Sequence, residues 1–207
     1  MTALSVHLIH FPVHTLGPGV RVGLWCQGCS LRCRGCITPD SWEFRPDKAV
    51  SLDVLMSRIS MFFEGGLRPD GITISGGEPF DQSAPLVELL RLLNGRGIAD
   101  ILIYSGYSLE NLLGTFPFLP ELAAAVVDGP FEEYGEGTSR GSGAWRGSDN
   151  QRLTLWREEF EERYLRWIEG SERRLQFVRG AEGKGFLVGI PDQRDASKLK
   201  NMDWERA

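Results

Sequence analysis

All four cysteines of this 207-residue chain lie within eleven residues, from Cys26 to Cys36. The last three, Cys29, Cys33 and Cys36, have the spacing CxxxCxxC. A disulfide framework needs cysteines spread along the chain, so a cluster at this spacing indicates metal or redox ligands. The loop that carries them must therefore fold around a metal centre, and it follows directly on a predicted strand at residues 20–26.

The spacing of the cysteines distinguishes between two kinds of metal centre, a zinc site and an iron–sulfur cluster. Structural zinc usually takes two ligand pairs a dozen or more residues apart, which disfavours zinc here. Three thiolates on one short loop can instead bind three irons of a [4Fe-4S] cubane and leave the fourth iron open. If Cys26 bound that iron, the closed cluster could only carry electrons. Because Cys26 ends an apolar run, where a small buried thiol is common, we expect it to be a core residue.

Composition excludes several partners. The net charge of −5 and the pI near 5.3 argue against a nucleic-acid partner, since phosphate-backbone binders usually carry a basic surface. The N-terminus lacks the pattern of a signal peptide, and no apolar run approaches the roughly 20 residues that span a bilayer. We therefore expect a cytoplasmic protein with no membrane contact, where clustered cysteines stay reduced.

The chain has the pattern of an α/β fold. Short apolar segments alternate with helical patterns, which is typical of βα units and a parallel sheet. The predicted strands are residues 20–26, 71–75, 100–104 and 124–128, and the predicted helices are 51–64, 83–94 and, more weakly, 108–114. Each motif that could bind a metal or a ligand follows a predicted strand, which is where α/β folds place their sites.

The second half of the chain is less regular. The glycine-rich stretch 135–147 is interpreted as a long ordered or closing loop, with a disordered linker as the alternative. An amphipathic helix at residues 156–168 and a hairpin of strands 174–178 and 186–190 follow. We accordingly divide the chain into a core domain, 1–152, and a C-terminal extension of helix and hairpin, 153–207, packed on the core.

Two of the motifs together resemble the signatures of the radical S-adenosylmethionine (SAM) superfamily. These are the CxxxCxxC loop after one strand and the GGE segment after the next predicted strand. The resemblance implies a partial, half-open βα barrel with a [4Fe-4S] cluster and SAM as cofactors. It also implies the cluster ligands Cys29, Cys33 and Cys36, and the SAM contacts Gly76, Gly77 and Glu78.

Further segments resemble a narrower group, the anaerobic ribonucleotide reductase activating proteins among the organic-radical-activating enzymes. They are GPGVRV at 17–22, CRGC at 33–36, PDSW at 39–42, YSGY at 104–107, VDGPF at 127–131 and RGSDNQR at 146–152. This resemblance implies Ser105 and Asp128 as SAM contacts, although a turn serine and an Asx-turn aspartate fit equally well. Arg146 and Arg152 could meet the SAM carboxylate or a partner, or be solvated charges.

The resemblance implies an activity. A reduced cluster would cleave SAM to a 5′-deoxyadenosyl radical that takes a hydrogen atom from a glycine of a partner enzyme, with flavodoxin or ferredoxin as electron donor. Two alternatives stay open: a radical SAM enzyme that modifies a small molecule or peptide, and a closed-cluster electron-transfer or iron-sensing protein that uses Cys26. Compact activases end soon after the segment that matches 146–152, whereas this chain continues for fifty-five residues after Arg152. This extension leaves the identity of the partner enzyme undecided.

Overall fold

A computed structural model describes residues 2–133, 143–170, 175–179, 185–191 and 205–206. Residues 135–142 of the predicted loop and all of the tail after residue 191 except 205–206 lie outside this range. The strands of the main sheet are β1 (Ala3–Val13), β2 (Arg21–Cys26), β3 (Ala49–Ser51), β4 (Gly71–Gly76), β5 (Ile101–Tyr104), β6 (Ala125–Asp128) and β7 (Arg152–Leu155). Among the described residues they form one seven-stranded sheet in the order β3-β1-β2-β4-β5-β6-β7.

The centre of this sheet is parallel. Strands β2, β4, β5 and β6 are parallel neighbours, with register pairs such as Cys26 with Gly76 and Ile74 with Ile103. Their connections carry helices α1 (Leu52–Glu64), α2 (Ser83–Gly95), α3 (Leu109–Thr115) and α4 (Leu119–Leu122). The predicted α/β class with a parallel sheet is therefore confirmed. Parallel order brings the carboxyl ends of these strands to one edge, which positions the loops that follow them.

The flanks of the sheet are antiparallel and were not predicted. Strand β1 pairs antiparallel with β2 and β3, and β7 pairs antiparallel with β6. The side chains of β1 and β7 are largely half-exposed. Their sequences accordingly lack the continuous apolar run that marks a strand buried on both faces. Their strand conformation depends on a partner that is distant in sequence.

The two faces of the sheet are covered by different parts of the chain. Helices α1 and α2 cover one face, where their apolar stripes meet side chains such as Leu24 and Ile74. Later elements cover the other face: α5 (Glu161–Gly170) and a second sheet of β8 (Gln176–Arg179), β9 (Gly185–Val188) and β10 (Glu205–Arg206). Tyr164 of α5 packs with Leu102 and Val127, and Val188 of β9 packs with Trp25.

The C-terminal elements differ in detail from their predicted bounds. Strand β7 crosses the predicted domain boundary at residue 152, and α5 begins at Glu161 because a 3₁₀ turn occupies Glu158–Phe160. Strands β8 and β9 pair antiparallel at the position of the predicted hairpin. In the described part of the chain, no helix combines the length and apolar character needed to cross a membrane.

Candidate functional site

A cavity of about 290 Å³ lies at the carboxyl edge of the parallel strands. Seven of the eight predicted site residues are among the described residues that line it: Cys29, Cys33, Cys36, Gly76, Gly77, Glu78 and Ser105. They lie at or just after the carboxyl ends of β2, β4 and β5, and Gly76 is the last residue of β4. Asp128 is not among the described lining residues, although it ends the neighbouring strand β6.

Cys26 lies in a different environment from the other cysteines. Its side chain is fully buried in the core on the helix-covered face of the sheet, and it is absent from the described lining of the cavity. Burial raises the pKa of the Cys26 thiol far above its ordinary value, so this thiol stays protonated at neutral pH. Cys33 and Cys36 are partly exposed, and Cys29 lies at the cavity wall.

Backbone hydrogen bonds join the cysteine loop to the GGE loop. Gly77 N donates to Cys26 O at 2.8 Å, and Glu78 N donates to Gly28 O at 2.9 Å. A Cβ atom on Gly77 would overlap the carbonyl oxygen of Gly28. The second glycine of the motif is thus required by the close approach of the two loops to each other.

Glu78 connects the GGE loop to the loop after β5. Its carboxylate is 1% exposed and accepts hydrogen bonds from Ser105 Oγ at 2.8 Å, Phe80 N at 3.0 Å and Gly106 N at 2.7 Å. Burial raises the pKa of Glu78 to about 7 despite these donors. The hydroxyl hydrogen that Ser105 donates helps to hold the Glu78 side chain in place.

Asp81 restrains the cysteine loop through a contact with Ser30 that the sequence did not predict. Its carboxylate accepts from Ser30 N at 2.6 Å, from Ser30 Oγ at 2.9 Å and from Tyr107 OH at 2.7 Å. Ser30 lies between Cys29 and Cys33, so this contact restrains the loop between two predicted ligands. The only sequence signal was indirect: Asp81 follows GGEP, and Tyr107 ends the YSGY segment.

Asp128 and the two candidate arginines are engaged within the protein. Asp128 Oδ2 accepts from Leu109 N at 2.9 Å, where α3 begins, and from Arg152 Nη2 at 2.8 Å. Arg152 also pairs with Glu110, and Arg146 donates to the backbone oxygens of Asp149 and Gln151. In this structure these side chains connect loops and elements rather than line the cavity.

The segment of the C-terminal extension that follows β9 contributes to the cavity wall, and no sequence motif marked these residues. Gly189, Ile190 and Pro191 are lining residues. They follow Val188, whose carbonyl oxygen accepts from Thr15 Oγ1 at 3.2 Å. No local motif marks these residues, because their position depends on the packing of β9 against the start of the chain.

The lining residues fit an iron–sulfur cluster with an open iron. Three thiols face one cavity, and the fourth cysteine of the chain is enclosed in the core. In the described residues, no three His, Cys, Asp or Glu side chains are close enough to bind a single metal ion. A cubane needs a wider arrangement, because each thiolate binds a different iron.

A thiol-lined cavity at the carboxyl edge of the sheet is the kind of site that an iron–sulfur protein uses to hold its cluster. A family model described as "4Fe-4S single cluster domain" matches residues 15–154, more than half of the chain, and the protein belongs to this family. The match covers the cysteine loop and all strands from β2 to β6.

Individual relatives are activating enzymes. The chain is 28% identical over 146 residues to the anaerobic ribonucleoside-triphosphate reductase-activating protein of Escherichia coli K12, covering 69% of this chain and 93% of that protein. It is 35% identical over 100 residues to the pyruvate formate-lyase-activating enzyme of Clostridium pasteurianum, covering 46% and 40% respectively. The matching enzyme of Staphylococcus epidermidis is 40% identical over 88 residues, covering 40% and 34%.

The match spans less than half the length of the two pyruvate formate-lyase-activating enzymes. Together, the family and these relatives confirm the resemblance to the radical SAM superfamily and its activating enzymes. They imply a [4Fe-4S] cluster and SAM as the cofactors.

Proposed function

We propose that this protein is a radical SAM enzyme that cleaves SAM reductively to methionine and a 5′-deoxyadenosyl radical. One observation carries the proposal: three thiols and the GGE segment line a single cavity, while Cys26 is buried outside its described lining. An iron without a cysteine ligand is what SAM binding requires. The cofactors supply the radical chemistry, and the protein supplies binding and orientation.

The proposal gives individual residues the roles that the resemblance implies. Cys29, Cys33 and Cys36 would bind three irons of the cluster. Gly76, Gly77 and Glu78 would receive SAM, and the hydrogen bond of Ser105 Oγ to Glu78 at 2.8 Å would hold the Glu78 carboxylate in place. We keep Asp128 as the SAM contact that the resemblance implies: its Oδ2 accepts from Leu109 N and Arg152, whereas its buried Oδ1 has no hydrogen-bond partner among the described residues.

We further propose that the hydrogen atom comes from a glycine of a partner enzyme, as in an anaerobic ribonucleotide reductase. Support comes from the relative that carries this name, 93% of which is covered by the match. The sheet would form the half-open barrel of the superfamily, with the partner's loop entering at its carboxyl edge. A small electron carrier such as flavodoxin or ferredoxin would reduce the cluster in the cytoplasm.

A second candidate is direct modification of a small molecule or peptide. Gly189, Ile190 and Pro191 favour it, because they add a wall to the cavity from a segment beyond the family match at residue 154. The two candidates differ in a measurable product: activation leaves a stable glycyl radical on a partner protein, visible by electron paramagnetic resonance (EPR). Modification of a small substrate leaves no such radical.

A pair of cysteine variants tests whether Cys29 binds the cluster and Cys26 does not. After anaerobic reconstitution, we expect Cys26→Ala to keep the cluster and SAM cleavage, and Cys29→Ala to lose both. Iron content, the EPR spectrum with and without SAM, and 5′-deoxyadenosine formation are the measurements. Thermal unfolding of both apo variants separates a lost ligand from a loss of fold.

The opposite pattern would contradict the proposal. If Cys26→Ala lost the cluster, and if SAM left the EPR spectrum of the unsubstituted protein unchanged, the cluster would be closed by four cysteines. The protein would then be an electron-transfer or iron-sensing module.

A further inference from the structure

A carboxylate lies beside the cysteine loop without a cationic partner. Asp81 accepts hydrogen bonds from Ser30 N at 2.6 Å, from Ser30 Oγ at 2.9 Å and from Tyr107 OH at 2.7 Å. Within the described parts of the chain, it forms no ion pair with a lysine, an arginine or a histidine. All three donors are neutral groups, so they fix the position of the carboxylate and leave its negative charge uncancelled.

Covalent geometry limits the distance between this charge and the first predicted ligand. Asp81 Oδ2 lies 2.6 Å from Ser30 N, and four covalent bonds join that nitrogen to Cys29 Sγ. The carboxylate oxygen is therefore within about 7 Å of the sulfur. This distance is shorter than the Debye length of about 10 Å at 0.1 M salt, so dissolved ions screen the charge only in part.

The charge of Asp81 acts on two groups of the site. Burial raises the pKa of Cys29 and the pKa of Glu78, and the negative charge of Asp81 raises both further. Because Coulomb interactions act over a distance, this effect needs no direct contact with either group. An anion that disfavours negative charge on Cys29 also disfavours negative charge on a cluster that Cys29 binds.

We infer that Asp81 lowers the reduction potential of the cluster by holding a negative charge against the loop that carries Cys29. This inference rests on the proposed function, because it assumes the cluster at these thiols. Reduction adds one negative charge, which a fixed anion nearby opposes. The same anion increases the driving force for passing that electron to the sulfonium of SAM. Asp81 acts through Ser30 and through its field, so it is a positioning residue.

Redox titration of matched variants tests the inference. Asp81→Asn removes the charge and keeps an acceptor for Ser30, and Asp81→Glu keeps the charge. Glu162→Gln is the control, since it removes the same charge from an exposed position on α5, outside the described lining of the cavity. Without SAM, we expect a more positive midpoint potential for Asp81→Asn, a potential below that of Asp81→Asn for Asp81→Glu, and no shift for Glu162→Gln.

A tyrosine variant separates the charge of Asp81 from its support of the loop. Tyr107→Phe removes one of the three donors and leaves the charge in place. We expect its midpoint potential to be equal to that of the unsubstituted protein or more negative. Iron content and thermal unfolding of the apo variants check that each folds and binds the cluster. If Asp81→Asn does not fold, Asp81→Ser supplies a second neutral side chain.

The outcomes that overturn the inference differ from those that overturn the proposed function. An unchanged potential in Asp81→Asn would overturn the inference alone. Equal positive shifts in Asp81→Asn and Tyr107→Phe would also overturn it, because a loosened loop would explain both. Failure of the unsubstituted protein to bind a cluster would overturn the proposed function and this inference with it.

Discussion

Four cysteines only a few residues apart occupy two environments because of where the strand ends. Cys26 is the last residue of β2, and its side chain points into the core between sheet and helices. Gly28 then takes a φ of 107°, a left-handed conformation that glycine adopts without strain, and the chain turns toward the cavity. Cys29 and the two cysteines that follow lie beyond this turn. One turn of the backbone therefore separates the three predicted ligands from the core thiol.

At the same scale, Gly77→Ala should separate the two loops of the site. The added methyl group would overlap Gly28 O and lie 3.0 Å from Ser41 O, so the GGE loop must shift. We expect a loss of about 1–3 kcal/mol in the free energy of unfolding of the apo protein, as for other overpacked sites, and weaker cluster retention.

Gly66→Ala is the matched control, since a Cβ at Gly66 has no atom within 4 Å among the described residues. Denaturant unfolding and iron content after reconstitution are the measurements. Equal behaviour of the two variants would mean that the loops tolerate the extra volume.

At the scale of elements, one carboxylate joins the start of a helix to two strands. Asp128 ends β6, accepts from the first backbone N–H of α3 and pairs with Arg152 at the start of β7. Arg152 also donates to Glu110, and this hydrogen bond lowers the pKa of Glu110 to about 2. The arrangement orients α3 and brings β7 into the sheet, close to the loops that line the cavity.

Asp128→Ala should therefore destabilise the fold. Loss of hydrogen bonds to a buried carboxylate predicts a decrease of about 1.5–3 kcal/mol in the free energy of unfolding. Circular dichroism during urea unfolding measures it. Glu110→Gln is the control: its carboxylate is exposed, and we expect a smaller decrease that is confined to pH values well above 2, where Glu110 is charged.

A comparison of SAM affinity completes this test. If Asp128→Ala kept its stability and lost only SAM binding, the role implied by the resemblance would be favoured over the structural one.

At the scale of the whole molecule, a buried charge network anchors the C-terminal extension at the end of the sheet opposite the cavity. Arg21, fully buried, donates to Asp100 Oδ1 at 3.0 Å and to Thr73 Oγ1 at 2.7 Å. Tyr164 OH of α5 donates to the same Asp100 Oδ1 at 2.8 Å, and Arg163 reaches Oδ2 at 3.2 Å. Desolvation makes each charge dependent on its partner, so α5 and the core are energetically coupled.

Asp100→Ala should cost about 3–5 kcal/mol of folding free energy, because it leaves the Arg21 charge buried without its partner. Tyr164→Phe removes one hydrogen bond to a charged group and should cost about 1.5–3 kcal/mol. Urea unfolding followed by tryptophan fluorescence and circular dichroism measures both variants, and the two probes should report one coincident transition.

Arg166→Ala is the control on the same helix, since its side chain is 75% exposed. We expect it to unfold like the unsubstituted protein. If Tyr164→Phe were equally neutral, its hydrogen bond to Asp100 would not contribute to holding α5, and the Arg163–Asp100 pair and apolar packing would hold the helix to the core.

The sequence by itself determined the class of fold and predicted the chemistry of the site. The spacing of Cys29, Cys33 and Cys36 and the GGE segment are local patterns, and the parallel strands have continuous apolar runs. Each of these signals is contained within one segment, so it is readable without knowing what the segment packs against. The same holds for the strong helical periodicities of α1 and α2.

Only the tertiary structure decided what surrounds those motifs. Among the described residues, the indole Nε1 of Trp42 is buried without a hydrogen-bond partner, Asp81 contacts Ser30, and Ile190 lines the cavity. The first observation depends on burial, and the other two join segments that are distant in sequence. Asp128 is a candidate SAM contact by motif, and the structure adds that its Oδ2 bonds Leu109 N of α3 and Arg152. Side-chain hydrogen bonds between distant segments form only when the chain closes on itself, and they leave no local pattern from which the sequence could reveal them.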